Sequence, residues 1–524
     1  MQANSSIKLG AAHQRHANYY ISILRRANQL YLNGGDAIKQ GLTLCNLDWH
    51  NIAAGQAWAA SKTGEDEAAA ELCSNYAAEG AEILSLFQPL RDYIRWLEDA
   101  LTASQRLKNR LYEGIHLGNL GLAYIGLSEI QHAIELYEQA LAIDRDVGYK
   151  RGEGIDLGNL GIAYAELGEP RRSIEFFEQA LAITREIGDR QGESNAVGNI
   201  GLAYARLGEL RRAIEFYEQA LVIDQEIGDW RGKGSDLTNL GMAYAILGET
   251  RRAIEFHEQA LVITREIGDR QGEGNAIGNI GLAYADLGEL HRAMKLYEQA
   301  LAIDQEIGYR HGEGNALVNL GTVYAELGET RRSIEFYEQA LAIAHEMGDR
   351  QGEGNILGNI GLAYVDLGEL RRAIEFYEQA LAIVSEIGDQ RGEGKTLGNM
   401  GIAYDLLSEP RCAIEFYEQA LAIAQEIGDQ RSQSKTLSNL GIAYIHLGEM
   451  RRAVEFYERA LVIQEKIEDQ QGQGDSLFSM SIALDQLGER KQAIFHTEAA
   501  LKIYEQIESS HAESARHKLA KWYG

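Results

Sequence analysis

Residues 191–228, QGESNAVGNIGLAYARLGELRRAIEFYEQALVIDQEIG, hold two helical patterns separated by a glycine. In the first, Val197, Ile200, Ala203 and Tyr204 fall at helical spacing. In the second, Leu210, Ala213, Ile214, Tyr217, Ala220, Leu221 and Ile223 make one wide apolar face. Gly208 is placed to stop the first helix and Gly228 the second, since a helix end readily takes a backbone turn that glycine adopts without strain. Asp229 is an N-cap candidate for whatever helix follows. Two amphipathic helices with a short connection read as an antiparallel hairpin. One hairpin cannot bury its apolar face alone, so stacked neighbours are expected.

Those neighbours are in the sequence. From Leu111 the chain repeats every 40 residues without insertion or deletion, in ten windows beginning at 111, 151, 191, 231, 271, 311, 351, 391, 431 and 471. Asparagine recurs in register at Asn119, Asn159, Asn199, Asn239, Asn279, Asn319, Asn359, Asn399 and Asn439; only the last window breaks it, with Ser479. A period of this size predicts an all-α solenoid of antiparallel helix pairs. It also explains why 524 residues carry 56 glycines.

Composition bounds the function. With 78 acidic and 50 basic side chains the formal charge is −28. That argues against nucleic acid, whose affinity comes mainly from Lys and Arg neutralising phosphates, and against broad contact with an anionic membrane. No run of 18 apolar residues occurs, and MQANSSIKLGAAHQRHANYY lacks a basic flank followed by an apolar stretch, so neither a membrane span nor a secretion signal is expected. Cys45, Cys73 and Cys412 form neither a CxxC pair nor a disulfide framework and fit a reducing compartment. The expected location is cytoplasmic.

The repeat resembles the tetratricopeptide repeats. The family's Leu-Gly, Tyr, then Ala, aromatic, Ala pattern matches Ile200-Gly201, Tyr204, Ala213, Tyr217 and Ala220. Val197 stands where the family has its leading Trp, the closing Pro is absent, and the period is 40 rather than 34. That departure resembles the longer-helix subclass of kinesin light chains and the polarity adaptor LGN/Pins. The resemblance implies a right-handed superhelical α-solenoid. It divides the chain into an N-terminal helical cap of three or so helices (1–70), a degenerate repeat (71–110, with Ile94, Leu97, Ala100 and Leu101 in phase), ten repeats (111–510) and a closing helix (511–524). Leu47-Asp48-Trp49-His50-Asn51-Ile52 resembles the junction before helical-repeat sensor arms of bacterial STAND signalling ATPases.

Nothing in the sequence reads as catalytic, and no cofactor is expected. The recurrent G-E-G-N-x-x-G-N follows a helix and no strand. Gly228–Gly234, GDWRGKG, is one residue short of a Walker A loop and has no Ser or Thr after Lys233. His13 and His16 have no third ligand, so no metal is expected, and His257 replaces a packing aromatic. Carboxylates recur in every repeat, as solvated helix faces do. The twin arginines, such as Arg171-Arg172 and Arg211-Arg212, open the second helix against its macrodipole, with Glu175 and Glu215 four residues on as expected partners.

Residues that a helix disfavours carry the functional reading. Asn costs roughly 0.6 kcal/mol and Gly about 1 kcal/mol relative to Ala in a helix interior. Yet Gly118-Asn119, Gly158-Asn159, Gly198-Asn199, Gly278-Asn279, Gly358-Asn359 and Gly398-Asn399 place them side by side. Asn195, Asn275, Asn315 and Asn355 add a second amide one turn earlier on the same face. In the resembled family the first helices line a concave groove, and in its long-repeat subclass such a ladder holds peptides. An Asn can pair with both C=O and N–H of an extended peptide, and a neighbouring Gly lets that backbone approach. The same Asn could instead bond the adjoining repeat, and a second glycine, Gly201 or Gly281, could serve helix packing. Beside the ladder the residues vary: Asn195, Ser235, Lys395, Lys435 and Asp475 before it, Glu166, Arg206, Ile246, Asp286 and His446 after it. Lys395/Asn399 and Lys435/Asn439 resemble the family's carboxylate clamps, although Asp475 and Ser479 break the pattern in the next hairpin.

The expected function is therefore a non-enzymatic adaptor gripping an extended protein segment, neutral to basic given the acidic chain. A groove-free structural spacer and a regulatory arm of a STAND-type system are the alternatives.

Overall fold

The computed structural model describes residues 2–33 and 36–523; Met1, Gly34, Gly35 and Gly524, within the expected end segments 1–70 and 511–524, lie outside the described residues. The described residues form 26 helices and no strand. The chain divides into two compact units, 1–283 and 284–524.

The first unit starts with α1 (Gln2–Leu32), α2 (Asp36–Lys62), α3 (Glu67–Glu79), α4 (Ala81–Phe87) and α5 (Leu90–Arg106). Residues 1–70 are thus two long helices and the first turn of a third. In residues 71–110 Ile94, Leu97 and Ala100 are buried as the repeat phase expects, but the seven-residue α4 interrupts the two-helix pattern. Trp49 of α2 stacks between Phe87 and Trp96, with centroids 5.7 Å from each. One apolar core runs from Ala17 and Ile52 through Leu97 to Leu120 and Ile143, joining these helices to the first repeat.

Each repeat is a helix pair, for example Arg190–Arg206 with Leu210–Ile227 in the first unit and Arg350–Asp366 with Leu370–Glu386 in the second. Three-residue turns fold the partners back on each other. Val197, Ile200, Ala203, Tyr204, Ala213, Ile214, Tyr217, Ala220 and Ile223 are buried, while Leu210 and Leu221 are half-buried. Gly208 (φ +77°) and Gly228 (φ +73°) end the helices in the left-handed region. Asp229 caps the next helix, accepting from the Arg231 and Gly232 amides at 3.0 Å. Ser408 occupies the same turn as Gly208 at φ +61°, a conformation that costs an L-residue roughly 1–2 kcal/mol. Ser408→Gly should therefore raise stability by about 1 kcal/mol, read as later exchange of the amides in 390–426 with unchanged helical CD. An unchanged exchange rate would show that the turn carries no strain.

Charge pairing differs from the expectation. Among the described residues Arg171 and Arg211 form no ion pair within 4.0 Å with Glu175 and Glu215, whereas the second arginine of each pair is held: Arg212 donates to Glu209 three residues back at 2.9 Å, and the Arg172 and Arg212 guanidiniums lie 4.1 Å from the ring centroids of Tyr164 and Tyr204. A helix start repels positive charge, so the pair and the aromatic face supply what the macrodipole does not. Nor are all the carboxylates solvated. Glu193 is buried, accepting from Arg185 at 2.7 Å and from Arg190, which also reaches Glu226 on the second helix of the same pair. Burial pushes the Glu193 carboxyl up, but the two arginines outweigh it and hold it below the ordinary range.

The last helix, His511–Tyr523, buries Ala512, Ala515 and Leu519, and its Trp522 indole donates to Asp485 at 3.2 Å. It closes the apolar end of the second unit.

Candidate peptide-binding groove

The first helix of each repeat turns Leu157, Leu160 and Ala163, or their equivalents, inward. Arg151, Ile155, Asn159 and Ile162 then share the opposite face, one or two turns apart. Every ladder residue, from Asn119 to Asn439, is half-buried, and among the described residues none of the nine side-chain amides is hydrogen-bonded within the protein. Asn195 accepts only a long bond from Gln191 at 3.4 Å. The other one-turn-earlier amides, Asn275, Asn315 and Asn355, are exposed, as are Lys395 and Lys435.

Six first helices carry a glycine on each side of the ladder Asn, and the surroundings of the two differ. A Cβ at Gly201 would lie 2.8 Å from the Tyr217 ring and one at Gly361 would lie 2.5 Å from Tyr377. This glycine lets the second helix pack, as expected for Gly201. A Cβ at Gly158, Gly278, Gly358 or Gly398 would meet nothing within 4 Å. No packing accounts for the glycine beside the ladder Asn at these positions. At Gly118 the nearest atom is Asp156 Oδ1, 3.1 Å away.

Three cavities open on this face, each between successive repeats. In the first unit, one of about 190 Å³ brings together Asn159, Asn195 and Asn199 over Ile155, Ile162 and Phe177. Another, of about 470 Å³, joins Asn239 and Asn275 with Ser235, Thr238 and Thr264. In the second unit, one of about 180 Å³ joins Asn315, Asn355 and Asn359 with Val318, Ile343 and Met347. The first helices that line them, Lys150–Glu166, Trp230–Ile246 and Arg310–Glu326, are in the same phase of the 40-residue repeat. Asn119, Asn279, Asn319, Asn399 and Asn439, with Lys395 and Lys435, hold the same register outside these three cavities.

The sequence reading missed an apolar row. Leu122, Ile162, Leu202 and Met242 in the first unit and Leu362 and Ile442 in the second are exposed three residues after the ladder Asn. The signal was present: they fall at i+3 from a polar face, not at the i+1 or i+5 positions that go inward. Each lies within a run of apolar letters, which hides it.

The remaining candidates are accounted for by packing. His257 is buried against Gly241, and burial pushes its pKa down to about 4. Lys233 lies 5.1 Å over the Trp230 ring, in the first turn of a helix and not in a phosphate loop. His13 and His16 neighbour Trp58 and Tyr20. Among the described residues no three His, Cys, Asp or Glu side chains are placed to hold a metal, and no helix is long and apolar enough to cross a membrane.

A tetratricopeptide repeat model matches six segments, 155–226, 193–266, 235–306, 272–346, 352–426 and 432–506, and a second of the same description matches 117–147. Together they span more than half of the chain. No curated protein matches it. Among solved structures, the STAND protein with a tetratricopeptide repeat sensor from Pyrococcus horikoshii is 14% identical over 87% of this chain and 74% of its own, with a TM-score of 0.52. BtubC from P. vanneervenii is 23% identical over 42% of this chain and 90% of its own, with a TM-score of 0.37. The nearly identical TPR-like repeats of a kinesin light chain from Podosopora anserina are 22% identical over 37% and 96%, with a TM-score of 0.33.

Proposed function

The chain belongs to the tetratricopeptide repeat family, and from that premise we propose a non-catalytic scaffold that holds an extended segment of a partner protein along its first-helix face. The observation that carries the reading is the row of amides with no partner inside the protein among the described residues, four of them beside a glycine that nothing crowds. An amide that bonded the adjoining repeat would have spent its donor and acceptor; these have not. The exposed apolar row alongside supplies contact area, and the cavities supply places for side chains. The variation at Ile155, Asn195, Ser235 and Lys395 supplies differences along the groove that a particular partner would read.

The test is a variant with Asn119, Asn159, Asn199, Asn279 and Asn359 all changed to Ala. Each lost amide removes hydrogen bonds worth about 0.5–1.5 kcal/mol apiece, so affinity should fall more than about 100-fold. Helical CD should stay the same or rise slightly, because Ala favours the helix. Affinity capture with wild type and variant side by side reads the difference. Partners recovered equally by both would overturn the ladder's role, and scattering growth with concentration and no partner would favour the self-assembling spacer.

A further inference from the structure

The register positions one and two turns before the ladder Asn carry Arg391 and Lys395 on helix Gln390–Leu406 and Arg431 and Lys435 on helix Gln430–Leu447. All four are exposed, and none forms an ion pair within 4.0 Å among the described residues. Spaced four apart, they share a face with Asn399 and Asn439. The corresponding pairs in other repeats hold at most one cation: Arg151/Ile155, Gln191/Asn195, Arg231/Ser235, Gln271/Asn275, His311/Asn315 and Gln351/Asn355.

Most of the nearby acids are already engaged; half-buried Glu393, between Arg391 and Lys395 in sequence, makes no ion pair within 4.0 Å among the described residues. Asp429 caps its helix, held below the ordinary carboxylate range mainly by the Ser432 amide, with Arg391 adding to it. Asp405 takes His446 at 2.8 Å. In the next repeat Asp475 accepts from Tyr504 at 2.8 Å and His511 at 2.9 Å. Exposed Asp366 borders the patch on the other side. Four positive charges therefore face outward with acidic residues at both limits.

We propose that this patch, within the groove reading on which it rests, takes a short Asp/Glu-rich stretch inside the partner's extended segment. The occupant is set by charge complementarity and by extent. Two repeat steps of roughly 10 Å each match about six residues of extended chain. A longer polyanion would run onto Asp366 and Asp475. The charges are spread over two helices and do not converge on one point, so they suit several side-chain carboxylates better than one chain terminus. The net charge of −28, which suggests a neutral or basic partner, describes the whole surface and not these two helices.

The probe is a fluorescein-labelled octapeptide alternating Glu with Ala, measured by anisotropy against the full chain, with its Lys counterpart and octathymidylate as controls. The Glu peptide should bind, and the Lys peptide and the oligonucleotide should bind at least tenfold more weakly. Exposed ion pairs each contribute a factor of between about one and five, so Lys395→Glu with Lys435→Glu should weaken binding by about tenfold or more. Raising salt from 50 to 300 mM should weaken it as well. C-terminal amidation of the peptide should change nothing. No binding of the Glu peptide, indifference to the charge reversals, tighter binding of octathymidylate, or dependence on the free terminus would each overturn the proposal. Asn355→Ala with Asn359→Ala leaves all four cations in place. If that variant loses captured partners while wild type fails to bind the Glu peptide, the groove stands and the acidic site falls. If the Glu peptide binds and only the amides prove indifferent, the reverse holds.

Discussion

Gly361→Ala should destabilise the second unit by up to about 2 kcal/mol, whereas Gly358→Ala, three residues earlier on the same helix, should stabilise it by about 1 kcal/mol. Intrinsic propensity favours both changes by a similar amount, since Gly is about 1 kcal/mol worse than Ala in a helix. Environment separates them. A methyl at Gly361 would lie 2.5 Å from Cε1 of Tyr377, a ring 1% exposed in the core with Ile360, Ile374 and Met400. Overpacking of that kind costs roughly 1–3 kcal/mol, more than the propensity gain. A methyl at Gly358 meets nothing within 4 Å.

Tyr377→Ala alone should cost about 3–5 kcal/mol, the usual range for a buried aromatic. Adding Gly361→Ala to it should then restore stability, because the methyl enters vacated space, so the same substitution changes sign with its background. Exchange of backbone amides in 350–386 is the appropriate readout, since a repeat array need not unfold as one unit. If Gly361→Ala is neutral in both backgrounds, the close approach does not govern the packing. Gly358→Ala carries a second prediction: a more stable helix that holds its partner less tightly, because the methyl stands where the bound backbone would run. Stability and binding moving in opposite directions would separate the groove glycine from an ordinary weak spot.

These two glycines also mark what the sequence conveys. Periodicity placed the helix pairs, their ends and the inward faces, because burial at one spacing repeats ten times and glycine stops are tied to backbone angle. The reading of the second glycine, as at Gly201, as a packing residue fits Gly361 as well, but the letters do not carry what makes it so, the distance to a ring 16 residues away. The same holds for charge. Glu193 looks like any surface carboxylate until the fold sets Arg185 and Arg190 on it. Arg212 bonds Glu209 while lying over Tyr204, a ring on the preceding helix. Leu122 and Ile162 read as core because their neighbours are core. Local preference is written in the letters nearby, whereas each of these outcomes depends on a second helix.

Buried aspartates give the first unit a pH dependence that the second should largely lack. Asp144 and Asp156 are 3% and 5% exposed, and Asp224 and Asp236 are 2% and 6%. Asp144 Oδ1, Asp156 Oδ2 and Asp236 Oδ2 have no hydrogen-bond partner, while Asp224 accepts from the Ser194 hydroxyl. Burial, then the charge of Asp144, pushes the Asp156 carboxyl up to about 8; burial, then Asp224 and Asp229, does the same for Asp236. Burial, followed by Glu153, moves Asp144 to about 6. The other ionisable neighbours are Tyr137 and Tyr217, and Glu153 is tied to Arg145 and Lys150.

A folded state that binds protons more tightly than the unfolded chain is favoured at low pH. These aspartates therefore contribute their full stability below about pH 4 and lose it as pH rises towards 8. The slope is about 1.4 kcal/mol per pH unit for each proton. Glu153, Glu193 and Glu273, held below the ordinary range, act oppositely and lose their contribution as pH falls below about 4.5. From these groups the first unit should be most stable near pH 4. In the second, the positions matching Asp156 are Ala316, Ile356, Thr396, Thr436 and Ser476, leaving Asp304, raised to about 6, as the corresponding second-helix acid. Asp156→Asn with Asp236→Asn keeps the shape and lets the new amides donate to the facing carboxylates. It should protect residues 144–236 from exchange at pH 8 and change little at pH 4, after correction for intrinsic exchange. Equal protection at both pH values would mean that these carboxylates are solvated. Faster exchange in the variant at pH 8 would mean that their negative charge is needed where it is buried.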